Sequence, residues 1–233
     1  MKKVFSQGAF KIEYELSRKR VKNLNLRIHA DGSVHVSAHY FTPQRVIDRF
    51  IAAHAERIAA AAQKRLMNAR AVRTDADSLI LFGQRLPVET MQGTKNSALL
   101  TGDRVLLSLK DPSDPELRRK ALDKLCREKA IEAVEDSVRR IYPIFAAMGV
   151  AGAELKFRRM KSRWGSCRYD NASLSFNTAL CHVPAPCVDY VVMHEYCHFI
   201  HPNHSPAFHG LMTKLMPDWK ERKKVLEKYA SLL

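Results

Sequence analysis

His194 and His198 stand four residues apart with Glu195 beside the first, in the run HEYCHFIHPNHSPAFH, and this spacing restricts the local fold more than any other feature of the 233-residue chain. On an α-helix, residues i and i+4 leave the same face about one turn apart, so two imidazoles at these places can share one ion. Pro184 and Pro186 mark a helix start, and PCVDYVVMHEYCHFI continues it to about Ile200. Val188, Val192, Tyr196 and Phe199 fall on the opposite side, where they anchor the helix in a core. Glu195 lies about 100° round from His194, within reach of a metal-bound water but badly placed as a ligand. This is the HExxH arrangement, in which the glutamate serves as general base.

A third ligand restricts the fold further. His201 continues the face of the pair, but on a straight helix it lies about 10 Å along the axis from His194, too far to share a tetrahedral ion with it. The chain must therefore turn back. Pro202 does not continue a helix comfortably and Asn203 tolerates a left-handed backbone, so the two can swing His204 round to the metal. The pattern becomes HExxHxxxxxH. Its last spacing is that of HExxHxxGxxH, where glycine makes the turn; here His201 occupies the glycine's place, so the turn is built differently. Three histidines leave a fourth position for water and thus describe a catalytic zinc site, with Glu195 taking the water's proton and a peptide carbonyl as the target. His182, His201 and His209 read as polar surface or supporting residues rather than ligands. Cys167 and Cys197 read as ordinary buried thiols.

Composition adds limits rather than chemistry. The five cysteines include no CxxC pair, which argues against a zinc ribbon or a disulfide framework and for reduced thiols in a cytoplasmic protein. The two lysines at the N-terminus precede no apolar segment, and no run is long enough to span a bilayer, so neither a standard secretion signal nor a membrane partner is expected. A net charge of +15 favours polyanions. Lys156, Arg158, Arg159, Lys161, Arg163 and Arg168 gather near the expected cleft, which makes nucleic acid a possible partner besides a protein or peptide substrate. Hydrolysis of a nucleotide phosphoanhydride by the same water is a minor alternative, for no P-loop is present.

Alternating apolar residues (Ile12, Tyr14, Leu16; Leu24, Leu26, Ile28; Val34, Val36) predict a small strand meander with a hairpin turn at Asp31-Gly32, followed by one alanine-rich helix over 43–70. Short strands follow in LILFG, RLPVET and RVLLSLK. Asp111 to Glu116 reads as a linker, with Asp114 as N-cap and Pro115 at the first position of a helix running to about Ala147. A hairpin is expected beyond it, with strands near 155–162 and 173–178. The fold class is α+β, divided into a smaller mixed α/β N-terminal region, 1–112, and a catalytic domain, 113–233.

RMKSRWGSC (159–167), LSFNTAL, VDYVVMHEYCHFIHPNHSPAFH (188–209) and MPDWKERKKVL (216–226) together resemble the YgjP-like metallopeptidase family, which is related to the SprT and WLM zinc proteases. The resemblance implies Zn2+ held by His194, His198 and His204, Glu195 as catalytic base, and a zincin-like catalytic domain. It further implies a strand edge beside the active-site helix that can pair with an extended peptide, with Trp164, Gly165 and Ser166 lining the cleft. Arg163 joins them as a candidate substrate-binding residue. Related SprT and WLM proteases act on proteins attached to DNA, which would join the peptidase and nucleic-acid readings. His209 departs from the family pattern, where a tryptophan is expected after Phe208.

Overall fold

A computed structural model describes residues 2–7, 10–29, 31–71 and 77–233. Contacts between residues divide the chain into two units, Met1–Arg73 with Ala230–Leu232 and Thr74–Tyr229 with Leu233.

In the first unit, strands β1 (Lys2–Gln7), β2 (Phe10–Arg18), β3 (Asn25–Ile28) and β4 (Val34–Ala38) form one sheet in the order β1-β2-β4-β3. The expected hairpin at Asp31-Gly32 forms: Gly32 has φ 86°, its N–H donates to the His29 carbonyl at 3.0 Å, and Asp31 accepts the Ser33 N–H at 2.9 Å. The sheet is nonetheless no meander, because β2 pairs parallel with β4. Both strands bury every second residue (Ile12, Tyr14, Leu16; Val34, Val36, Ala38), while β3 buries its apolar side chains only in part. The two best-buried strands take the centre and β3 takes an edge.

The single helix expected over 43–70 is two, α1 (Gln44–Ala52) and α2 (Ala55–Ala71). His54 makes the break. Its N–H bonds to the Ile51 carbonyl at 3.1 Å, and its ring Nδ1 takes the Phe50 carbonyl at 3.0 Å, the acceptor a continuous helix would give to the backbone. Ile47, Ile51, Ala55 and Ile58 close the core over the sheet.

The second unit opens with β5 (Ser78–Leu81), β6 (Gln84–Gln92), β7 (Ser97–Thr101) and β8 (Arg104–Leu109), in the order β5-β6-β8-β7. Its pairing repeats the first sheet strand for strand, with the parallel pair again in the centre. Helix α3 (Pro115–Ala146) starts as its sequence indicates, Asp114 accepting the N–H groups of Glu116 at 2.8 Å and Leu117 at 3.3 Å. Ala121, Leu125 and Ala130 of α3 pack with Val105, Leu107 and Leu109 of β8. Residues on both sides of position 112 therefore share this core.

The second half of α3 belongs to another core, in which Val134, Ile141 and Phe145 meet Leu174, Phe176, Val188, Val192, Tyr196, Phe208 and Met212. Strands β9 (Glu154–Arg158), β10 (Gly165–Arg168) and β11 (Ser173–Asn177) form a sheet in the order β10-β11-β9. The expected hairpin of residues 155–162 and 173–178 is revised here: β10 is the antiparallel partner of β11, and β9 pairs parallel on the other side. The Tyr169–Asn171 turn, closed by Ala172 at φ 46°, joins β10 to β11, whereas 159–164 carries the chain across. After a 3-10 turn, Thr178–His182, come α4 (Ala185–Cys197), α5 (Pro206–Leu215) and α6 (Trp219–Leu226). Asp189 of α4 pairs with Arg140 of α3 at 2.5 Å and Arg222 of α6 at 3.8 Å. The architecture is α+β, and among the described residues no helix is long and apolar enough to cross a membrane.

Candidate metal centre

Helix α4 is buried nearly all round, from Cys187 to Cys197, and ends sooner than the Ile200 its pattern predicts. Its last turn tightens: the N–H groups of His198, Phe199 and Ile200 bond three residues back, to Glu195, Tyr196 and Cys197. Pro202 and Asn203 then reverse the chain, and Ser205 caps α5 by accepting the Phe208 N–H at 3.4 Å. The reversal brings the His204 ring to 4.9 Å from that of His194 and 4.8 Å from that of His198, which are themselves 4.9 Å apart. The donor atoms of all three lie within 4.8 Å of one another, and the Nε2 atoms of His194 and His204 are 2.9 Å apart.

Two groups that sequence reasoning did not single out hold this cluster. Phe208 is 1% exposed and its ring centre lies 4.9, 4.7 and 4.8 Å from those of His194, His198 and His204, a single apolar floor under all three. The carbonyl of His201 lies 3.1 Å from His198 Nδ1. A carbonyl only accepts, so Nδ1 carries the proton and Nε2 keeps its lone pair. His201 thus serves through its backbone. His209 stacks on Trp219 at 5.4 Å and on His204 at 6.3 Å, bracing the third ring from outside.

Burial, then the mutual influence of His198 and His204, pushes His194 down to about 3; burial also lowers His198 and His204. Three neutral imidazoles with converging donors suit a transition-metal ion, which requires deprotonated nitrogen. Among the described residues no thiol lies within 4.8 Å of all three donor atoms. Burial drives both Cys167 and Cys197 up to about 12, and the Cys197 sulfur rests against that of Met212 at 3.4 Å.

Glu195 is 6% exposed, and burial raises its carboxyl to about 8 against the opposing influence of the Arg163 charge and a hydrogen bond from the Cys167 backbone. Strand β10 lies directly on it. A Cβ added at Gly165 would meet Glu195 Oε1 at 2.6 Å, Cγ at 2.7 Å and Cδ at 2.9 Å, so only glycine lets this strand approach the carboxyl. Of the other expected cleft residues, Trp164 packs half-buried against the core, Ser166 faces Ser175 across the β10–β11 ladder, and Arg163 is exposed.

The loop leading into β10 is set by Asn177, fully buried at the end of β11. Its Nδ2 donates to the carbonyls of Met160 at 2.7 Å and Arg163 at 3.0 Å, its Oδ1 accepts the Ala179 N–H at 3.0 Å, and its own N–H bonds to the Trp164 carbonyl at 2.8 Å. A polar residue closing the apolar strand LSFN was the available signal. Asn177→Ala orphans two carbonyls and an N–H, each costing about 1–3 kcal/mol when buried. The expected result is a clear fall in thermal midpoint together with a loss of activity, read by calorimetry and peptide turnover.

Neutral imidazoles converging beside a carboxyl held near neutrality describe a metallopeptidase. The chain belongs to the YgjP-like family: the YgjP-like, metallopeptidase domain matches residues 22–229. Two solved structures are similar over part of the chain. The metallopeptidase zymogen of Pyrococcus abyssi abylysin has 19% identity over 39% of this chain and 89% of its own, with a TM-score of 0.35. That of Methanocaldococcus jannaschii jannalysin has 19% identity over 41% of this chain and 95% of its own, with a TM-score of 0.35. No curated protein matches the sequence.

Proposed function

We propose that the chain is a zinc-dependent peptidase of zincin type, in which His194, His198 and His204 hold the ion and Glu195 is the general base. The observation that carries this reading is the arrival of His204 from beyond Pro202 at His194 of α4 and His198 just past its end. When bound, zinc supplies a Lewis acid that acidifies water and polarises a carbonyl. The chain's own part is proton handling and placement. A Glu195 carboxylate oxygen takes the proton of the attacking water, and the burial that raises its pKa lets it keep that proton until the leaving amine collects it. Arg163 favours the ionised form needed at the outset. Among the described residues strand β10 is the outermost of its sheet, and its outer edge could pair with an extended peptide, so Gly165 and Ser166, with Trp164 and Arg163 just before them, are the proposed substrate contacts.

Stripping the protein with a chelator is expected to abolish peptide turnover and added zinc to restore it. His204→Ala is expected to lower zinc affinity by more than the roughly 10–100-fold that loss of an outer-sphere partner costs. Full turnover in stripped protein, or wild-type zinc affinity in His204→Ala, would overturn the assignment.

A second reading concerns where the substrate is met. Arg158, Lys161, Arg163 and Arg168 are exposed around β9 and β10, with the exposed Tyr169 alongside, which supports binding of nucleic acid next to the cleft. Affinity for single-stranded DNA that falls steeply with salt is the expected outcome of a titration; no binding at low salt removes this reading.

A further inference from the structure

A second group of metal-ligand side chains sits in the same unit on other elements. Cys126 of α3 and Cys181 and His182 of the 3-10 turn bring three donor atoms within 4.8 Å of one another. Cys181 is fully buried and Cys126 is 9% exposed, inside the core between α3 and the β5–β8 sheet. A pair of core thiols alone would be unremarkable, since cysteine packs as a small apolar side chain. The histidine changes the case. Its Nδ1 lies 2.6 Å from the Ile80 carbonyl, which only accepts, so the ring is held as the Nδ1–H tautomer with the Nε2 lone pair free. Metal-bound histidines are oriented in this way by a carbonyl or carboxylate on the far nitrogen.

The backbone holds the turn just as firmly. The carbonyls of Cys181 and His182 accept the N–H groups of Phe82 at 2.7 Å and Gly83 at 3.1 Å, so the turn is tied to the β5–β6 connection while Cys126 approaches from α3. We propose that Cys126, Cys181 and His182 form a second metal site, distinct from the three-histidine cluster, that takes a zinc-class divalent ion through two thiolates and one imidazole nitrogen. Thiolate sulfur with imidazole selects zinc over magnesium or calcium. The ion replaces the two S–H protons, which leave to solvent, and the charges of two thiolates and one divalent ion cancel within the core.

Burial keeps His182 in the neutral form the ion needs and disfavours the thiolate of Cys181. Arg159 acts on both partners, promoting the thiolate of Cys181 and opposing protonation of His182, which burial also keeps neutral. Asp123, one turn before Cys126 on α3, acts on His182 in the opposite sense. Burial raises the Cys181 thiol strongly. Filling the site releases the two thiol protons. A filled site joins α3, the 3-10 turn and, through the Ile80 carbonyl, β5.

Cobalt(II) added to reduced, metal-stripped, full-length protein is the test, because thiolate ligation gives a near-ultraviolet charge-transfer band that an all-histidine site lacks. Two cobalt ions per chain with that band are expected. Cys181→Ser should lose the band and one ion while keeping peptide turnover; His204→Ala should weaken the other ion and keep the band. A wild-type protein that saturates without the band overturns the proposal whether or not the serine variant folds, and so does a band that survives in both Cys126→Ser and Cys181→Ser. Neither result bears on the three-histidine cluster, which is read separately by turnover.

Discussion

Glu195→Gln is expected to lower peptide turnover by roughly 10²–10⁴-fold while the protein keeps its zinc, because the amide has the shape of the carboxyl but cannot take a proton. Metal analysis on the same sample separates this from ligand loss: unchanged zinc with near-wild-type turnover would remove Glu195 from the chemistry. The substitution also changes stability in the stripped protein, with a sign that can be worked out. The folded carboxyl titrates at about 8 and its ordinary value is 4.5. Between those values the unfolded chain has released the proton and the folded chain still holds it. Stability therefore falls as pH rises through this window, and above 8 the buried charge weighs on the fold in full. At about 1.4 kcal/mol per unit, the penalty is on the order of a few kcal/mol. Glutamine cannot ionise, so metal-free Glu195→Gln is expected to melt higher than wild type at pH 9 and to lose this advantage near pH 5. A wild type that melts as high at pH 9 would mean that Glu195 is not buried as described.

Gly165→Ala is expected to reduce turnover by roughly 10²-fold with zinc content unchanged. The reason is steric. The new methyl falls at 2.6–2.9 Å from three atoms of the Glu195 side chain, inside any real contact distance, and Glu195 has little room to yield because it is 6% exposed. Either the carboxyl turns away from the three imidazoles or β10 lifts from α4; both misplace the base or the peptide-binding edge. A displacement of about 1 Å is enough for a loss of this size. Gly165 does not adopt a left-handed φ, so the effect comes from contact rather than backbone strain. Steady-state kinetics should show the loss chiefly in kcat if the base moves and in KM if the edge moves. Wild-type kinetics would show that the contact relaxes without consequence.

Both predictions rest on residues whose importance was legible to different degrees. Glu195 and the three histidines stood out because the helix period and the Pro202-Asn203 break confine them to a small set of arrangements. Gly165 was visible only as part of a resemblance, since nothing in RWGSC says that a carboxyl from the other side of the core will come to rest on it. Asn177, Phe208 and the His201 carbonyl were silent for the same reason: each acts on a partner brought to it by a turn or a sheet edge. The same holds at Cys126, Cys181 and His182, where no shared spacing marks the group because its members come from a helix and a turn some fifty residues apart.

What the sequence by itself determined was local: strand alternation, the Asp114 cap, the Asp31-Gly32 turn, and the helical spacing of His194 and His198, all set by forces acting within a few residues. Tertiary structure decided which strands lie side by side, where the chain divides, and what lies against Glu195. Those outcomes depend on the burial of whole faces and on contacts between distant segments, and a residue's place in the chain does not reveal what will be packed against it.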